Sequence, residues 1–390
     1  MPNIFVFFFI FILSLCVDMR MTMAHLNVPK ASFTSHGAPD ENSALISLLR
    51  FPMMVMVVLL HCAFDEVLVD GVRVGSERYA GYAFYRLFIT EIANASVALF
   101  FIISGYLFFK GGSRLTIHTY FQKCRRRVYT LLIPYLLWCI VYIGAYYLAQ
   151  RLMPGSMEGV MKDIASFSFR DWLSCLWDVQ DLSRRSGPIV PQFWFIRELM
   201  IVVLLAPLIA FGVYWLGTWF LALLLVMYVL PVPSATLVAL LFFSIGAYWG
   251  IRNTHFSSLS YAARWAALLL FVGLTIYVII VPVHYVDMLY QIAAFSGAMA
   301  FLGWGTWLLR RYTIHVPTLL VDSSFFLFAY HQLPARLVSK WAMPYLPEAG
   351  LSYAIAQLLI CVLLSVIGVW AYGTLRRLFP GVIKLFCGGR

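Results

Sequence analysis

Charge is the scarce ingredient of this sequence. Lys, Arg, Asp and Glu make up 12% of its 390 residues, against about 25% in a soluble domain. That shortage excludes an ordinary soluble globule. A hydrophobic share of 62% and a mean hydropathy of +0.86 point to an integral membrane protein instead. A Walker loop is missing, and so is the glycine fingerprint of a dinucleotide site, which removes two common routes to phosphate chemistry. Cysteine is present but unhelpfully placed. The seven Cys are an odd number, with Cys62, Cys139 and Cys361 inside apolar runs and Cys124 among basic residues. No spacing suggests a disulfide framework or a zinc site, so no metal is expected. Internal repeats and low-complexity tracts are also absent.

What is present is a succession of long apolar runs. Windowed hydropathy places spans at about 44–64, 87–109, 129–150, 193–213, 216–230, 234–250, 265–283, 288–309, 319–341 and 351–375. The expected fold is therefore all-α, a polytopic membrane bundle of about ten transmembrane helices. The fifth and sixth spans are short and are separated by Pro231-Val232-Pro233, which breaks helix. Three regions follow: an N-terminal extension over 1–43, the membrane domain over 44–375 and a basic tail over 376–390. Within the extension, 4–17 is apolar but short for a span and has no basic residues before it. It reads as a poor signal peptide or, with Met19, Met21 and Met23 close behind, as a misassigned start.

The formal charge of +11 does not require nucleic acid. Basic residues flanking apolar spans report orientation. With the N-terminus inside, sixteen Lys and Arg fall in inner segments and ten in outer ones, five of the ten in the single long outer loop at 151–190. This favours cytoplasmic N- and C-termini, in a bacterial inner membrane.

The first span carries two ionisable residues, Arg50 and His61, eleven positions apart. At about 100° per residue they share a helix face, separated by about 16 Å. Ionisable groups in a span are costly and usually face a cavity or a bundle interior. Arg50 is expected at the cytoplasmic end of the span and His61 towards its outer half. Asp65 follows His61 by four residues and would orient its ring if the helix continues that far. Alternatively, Arg50 snorkels to headgroups and His61 is a packing residue.

Other candidates are scattered. Ser104 and Gly105 are small residues suited to close helix approach. Lys123, Arg125, Arg126 and Arg127 form a basic cluster that reads as positive-inside anchoring or as a phosphate clamp. Trp172, Trp177, Asp171, Asp178, Asp181, Arg184 and Arg185 populate the outer loop, as a sugar-holding surface or as interfacial anchors. Arg197 and Glu198 open the fourth span; as helix neighbours they point apart and need other partners. His331 lies inside the ninth span.

As an ordered set these segments resemble the integral-membrane acyltransferase family 3, which includes O-acetyltransferases of bacterial surface polysaccharides. The resemblance covers about 45–375. It is carried by the Arg50–His61 helix, PhePheIleIleSerGlyTyrLeu (100–107), the basic run into LeuLeuIleProTyr (125–135), PheTrpPheIleArgGluLeu, and the Ser324 to His331 segment. The family's Arg–two residues–Arg pair has no clean counterpart, although Lys123 and Arg126 keep its spacing. The resemblance implies that acyl-CoA, acetyl-CoA foremost, donates an acyl group to a glycan hydroxyl at the outer face. It also implies that His61 is essential and that the loop arginines serve the donor. Membrane lipids surround the bundle, and a second copy or a glycan-assembly partner is compatible with it. The chemistry suits the residues: a neutral imidazole is a fitting general base near neutral pH. The rivals are a proton-coupled transporter of a small anionic or glycan-related substrate, and a non-catalytic membrane subunit.

Overall fold

The computed structural model describes residues 40–64, 68–69, 72–73, 80–111, 115–153, 161–183, 185–229, 234–256, 259–280, 286–342, 345–346 and 350–389. The N-terminal apolar stretch, the Pro231–Pro233 break and Arg184 lie outside them.

The helices are α1 (Glu41–His61), α2 (Ala80–Phe109), α3 (Ile117–Arg127), α4 (Ile133–Leu152), α5 (Phe169–Trp177), α6 (Trp194–Leu204), α7 (Ala206–Leu216) and α8 (Thr218–Val229). They continue with α9 (Ala235–Arg252), α10 (Tyr261–Ile280), α11 (Val286–Arg311), α12 (Thr318–Tyr330), α13 (Gln332–Ala342), α14 (Gly350–Leu378) and α15 (Pro380–Phe386). Strands β1 (Leu68–Val69) and β2 (Val72–Arg73) pair antiparallel in a minimal hairpin. The all-helical expectation holds apart from that hairpin.

The expected count of about ten spans is not reproduced as ten full-length helices. Among the described residues six stretches are long and apolar enough to cross: Glu41–His61, Ile89–Phe109, Ile117–Leu152, Ala235–Arg252, Met288–Arg311 and Ser352–Leu378. A seventh would be α6 with α7, two helices bent by 62° at Leu205. Pro207, in the first turn of α7, cannot donate the backbone bond that would continue α6. The shorter apolar helices Thr218–Val229, Tyr261–Tyr277 and Thr318–Tyr330 correspond to three further expected spans. Hydropathy reads apolar length, but not whether a helix stays unbroken across it. The thirteen residues of α12 rise only about 20 Å, short of a hydrocarbon core about 30 Å thick.

α1 is packed by α2, α11, α12, α13 and α14. Its residues from Phe51 to Leu59 are all buried. At its start the Asp40 side chain caps the helix on Asn42 N at 3.1 Å. Asp40 also pairs with Lys110 at 2.9 Å, and Glu41 pairs with Arg310 at 2.7 Å. Thus the C-terminal ends of α2 and α11 sit beside the start of α1. Arg376 and Asp322, 2.8 Å apart, tie α14 to α12. These contacts define a basic end of the bundle.

The closest crossing joins α2 to α9. A Cβ at Gly246 would lie 1.9 Å from the Ile102 carbonyl oxygen, and one at Gly105 2.0 Å from that of Phe243. Gly250 continues the seam, 2.8 Å from the Tyr106 oxygen. Gly105 thus serves the close approach expected of it; Ser104 beside it is half-buried.

α3 enters α4 through a π-helical turn, Val128–Leu132. Such a turn inserts one residue into the α-helical register. At the opposite end of the bundle the 161–190 segment folds back on α4. Gln150 donates to the carbonyls of Met161 and Lys162 and accepts from Ile164 N. α5 begins with a reciprocal cap between Ser168 and Asp171. Lys162, 2.7 Å away, and then the Ser168 N–H and hydroxyl hold the Asp171 carboxyl down to about 2. A depressed carboxylate supports the fold above its unfolded value near 4 and stops doing so as pH falls through its folded value. Hydrogen exchange at the first turn of α5 should therefore lose protection between about pH 4 and pH 2. In Asp171→Asn that step should be absent.

Candidate active site

α1 carries Arg50 and His61 on one stripe, as their spacing requires. α1 starts at Glu41, so Arg50 lies nine residues in, about 14 Å from the basic end. The earlier start comes from Asp40, a cap that a hydropathy window does not register. Arg50 is half-buried, and the carboxylate whose field reaches it is Asp322 on α12. Asp322 is itself hydrogen-bonded by Arg376 at 2.8 Å.

His61 is the last residue of α1 and is partly exposed. A helix end leaves its last carbonyls without intrahelical partners. Here Gln357 of α14 donates to the Leu59 carbonyl at 2.6 Å, and Ser339 of α13 donates to that of Cys62 at 3.3 Å. Both donors are buried, so they fix the backbone that presents His61. Asp65, the expected orienting carboxylate, lies outside the described residues, while α1 itself stops at His61.

The group that the structure does bring to His61 is His331, with ring centroids 5.1 Å apart. His331 sits at the junction of α12 and α13, fully buried. α12 runs alongside α1 with Asp322 near Arg50 at one level and His331 against His61 at the other. His331 Nδ1 is 2.9 Å from the Leu327 carbonyl oxygen. A carbonyl only accepts, so Nδ1 carries the proton, and in the neutral ring Nε2 is a lone-pair acceptor. Nε2 is buried with no hydrogen-bond partner among the described residues.

A second polar layer supports this pair. Gln192 donates to the carbonyls of Phe328 and Ala329 and to the Tyr142 hydroxyl, at 2.9–3.2 Å. Its backbone N–H donates to Gln332 Oε1 at 3.1 Å. Tyr142 donates to the Ala329 carbonyl at 3.2 Å. These bonds satisfy carbonyls released where α12 breaks, and so hold His331 in place. Neither Gln192 nor Tyr142 stood out in the sequence. The available signal was a glutamine directly ahead of an apolar helix, where a buried amide needs partners.

The remaining candidates divide. Lys123 donates to the Phe108 carbonyl and lies over the Phe108 ring at 5.2 Å, with Arg127 over the same ring at 5.9 Å. Arg125 and Arg126 are exposed. The spacing-compatible pair Lys123 and Arg126 is therefore split, and Lys123 with Arg127 share a face as residues four apart should. Arg197 and Glu198 correct an expectation outright: they bond to each other, with Nη2–Oε1 at 2.8 Å and Nε–Oε1 at 3.1 Å. Adjacent Cβ atoms do diverge, but the long arginine side chain bends back to the carboxylate. Arg197 also donates to the Trp177 carbonyl at 2.7 Å and covers its ring, and Thr236 donates to Glu198 at 2.6 Å. The pair clamps the 161–190 segment onto α6 and α9. Among the described residues no group of three or more His, Cys, Asp or Glu could hold a metal.

Comparison with known proteins places this geometry in context. A family model described as an acyltransferase domain matches residues 44–373. The succinoglycan biosynthesis protein ExoH of Rhizobium meliloti (strain 1021) is 26% identical over 369 residues, covering 89% of this chain and 92% of that protein. No solved structure matches.

Proposed function

Since the chain belongs to this family of membrane acyltransferases, we propose that it moves an acyl group from cytoplasmic acyl-CoA to a hydroxyl of a surface polysaccharide or its lipid-linked precursor. Acetyl is the group we assign. The relative with a role in succinoglycan biosynthesis supports a glycan as the acceptor. The observation that carries the mechanism is the His61–His331 pair at the end of the helix that also bears Arg50.

His61 acts as general base. It takes the proton of the acceptor hydroxyl while that oxygen attacks the thioester carbonyl. When the C–S bond breaks, the imidazolium returns the proton to the departing sulfur. The His331 ring, 5.1 Å away and locked by the Leu327 carbonyl, steadies the imidazolium through its bare Nε2. Arg50 attracts the negative charge of the donor, and Arg125 and Arg126, exposed on α3, meet its phosphates at the cytoplasmic side. The basic end then faces the cytoplasm of a bacterial inner membrane, with both termini there. The 161–190 segment faces outward.

The reading is tested on purified protein with radiolabelled acyl-CoA and glycan acceptor. Arg50→Ala should raise the acyl-CoA KM by about tenfold, the worth of one charge-assisted contact, and leave kcat within a few-fold. Loss of kcat at unchanged KM would move Arg50 from donor binding to the chemical step. Wild-type protein that turns over no acyl-CoA at all would overturn the enzyme reading.

A further inference from the structure

The far end of the bundle holds a cavity of about 260 Å³ between α4, the 179–191 stretch and α13. Its polar lining comes from Tyr146, Ser183, Arg185, Ser186 and Arg336, and among the described residues no carboxylate lines it. Arg336 Nη1 is buried with no hydrogen-bond partner among the described residues. Arg185 makes no ion pair among them. Two guanidinium groups facing one cavity repel each other, and a buried donor left unpaired is costly. Both penalties vanish if an anion occupies the space.

The cavity is built rather than incidental. Val179 N donates to the Gly187 carbonyl and Ile189 N to that of Cys175, each at 2.9 Å. Gly187 N donates to Asp178 Oδ1 at 3.1 Å, at a φ of +98° that favours glycine. These bonds set the stretch that carries Arg185. Arg336 follows His331 by five residues, about 7.5 Å of helical rise. Pro191, also in the lining, precedes the Gln192 that binds the Phe328 and Ala329 carbonyls. The cavity thus adjoins the histidine pair on the side opposite the basic end.

We propose that the Arg185–Arg336 cavity is an oxyanion subsite that grips a carboxylate or phosphate borne by the glycan acceptor. The acceptor part of this assignment rests on the acyl-transfer reading; the anion site stands on the two guanidinium groups alone.

Binding to the purified full-length protein tests it without any turnover. The probes are methyl glucuronide, its uncharged methyl ester and glycerol phosphate, each measured with wild type, Arg185→Gln, Arg336→Gln and Arg336→Lys. At least one anionic probe should bind wild type about tenfold more tightly than the neutral ester, and each Gln variant should lose about that factor. Arg336→Lys should retain part of it. A preference for the glucuronide identifies an acidic sugar, and one for glycerol phosphate identifies the phosphate of a lipid-linked precursor. Equal binding of charged and neutral probes, or Gln variants that bind like wild type, overturns the site. Anion binding that is abolished by phosphatidylglycerol nanodiscs, with glycan acylation unchanged in both Gln variants, makes it a lipid headgroup site and overturns the acceptor assignment. Arg185→Gln, altered on a surface stretch, keeps the test decisive should Arg336→Gln fail to fold. If wild-type protein turns over no acyl-CoA, the enzyme reading fails while the anion result still stands.

Discussion

His61→Ala, expressed in the membrane at the wild-type level, should lose glycan acylation by about a hundredfold or more, the usual range for removing a general base. The wild-type gene should restore the acyl mass shift in a strain lacking it, and the variant should not. The size of the effect follows from geometry. His61 is the partly exposed residue at the end of α1, and Gln357 and Ser339 fix the backbone that carries it. Alanine removes the imidazole but not those bonds, so protein level should not change. His331→Gln provides the contrast. It keeps a polar group beside His61 while removing the ring that lies 5.1 Å away, and it should lower kcat with little change in either KM. Full acylation by His61→Ala would assign the base elsewhere, and His331, with its bare Nε2, would be next to test.

Gly246→Val should be the most damaging substitution for folding. A Cβ there would stand 1.9 Å from the Ile102 carbonyl oxygen and 2.7 Å from the Tyr106 nitrogen, both backbone atoms that no rotamer change can move. Helix propensity pulls the other way, since replacing a helical glycine gains up to about 1 kcal/mol. Overpacking at a rigid site costs about 1–3 kcal/mol or more, so the clash wins. Monodisperse protein recovered in detergent should fall severalfold. Gly144→Ala on α4, where nothing lies within 4 Å of the added carbon, should be recovered normally. Equal yields from the two would show that α2 and α9 are not held in the close contact described above.

The sequence carries the site unevenly. The shared face of Arg50 and His61 was legible because both sit on one helix, where spacing alone fixes their faces. Gly105 was legible because a small residue in an apolar run has few other uses. The meeting of His61 with His331 was not, since 270 positions separate them and only the course of α12 beside α1 joins them. The Arg197–Glu198 bond escaped because a rule for Cβ directions ignores how far an arginine reaches. Spans were found as apolar runs, but Leu205 and His331 interrupt two of them with local backbone changes that hydropathy averages away. The family-level activity was readable from ordered motifs; the second polar layer around Gln192 was not, because it joins residues 50 and 137 positions apart in the chain.

The π-helical turn at Val128–Leu132 makes the direction of the basic helix a matter of counting. Each residue advances a helix by about 100°, so the extra one rotates everything before it relative to α4. Lys123 and Arg127 reach Phe108, and Arg125 and Arg126 face outward, only with that residue in place. A one-residue deletion in this turn would leave every arginine in the chain and still turn the cluster by more than a quarter of a circle. Relatives that differ here in length, not in composition, would therefore expose a different set of cations.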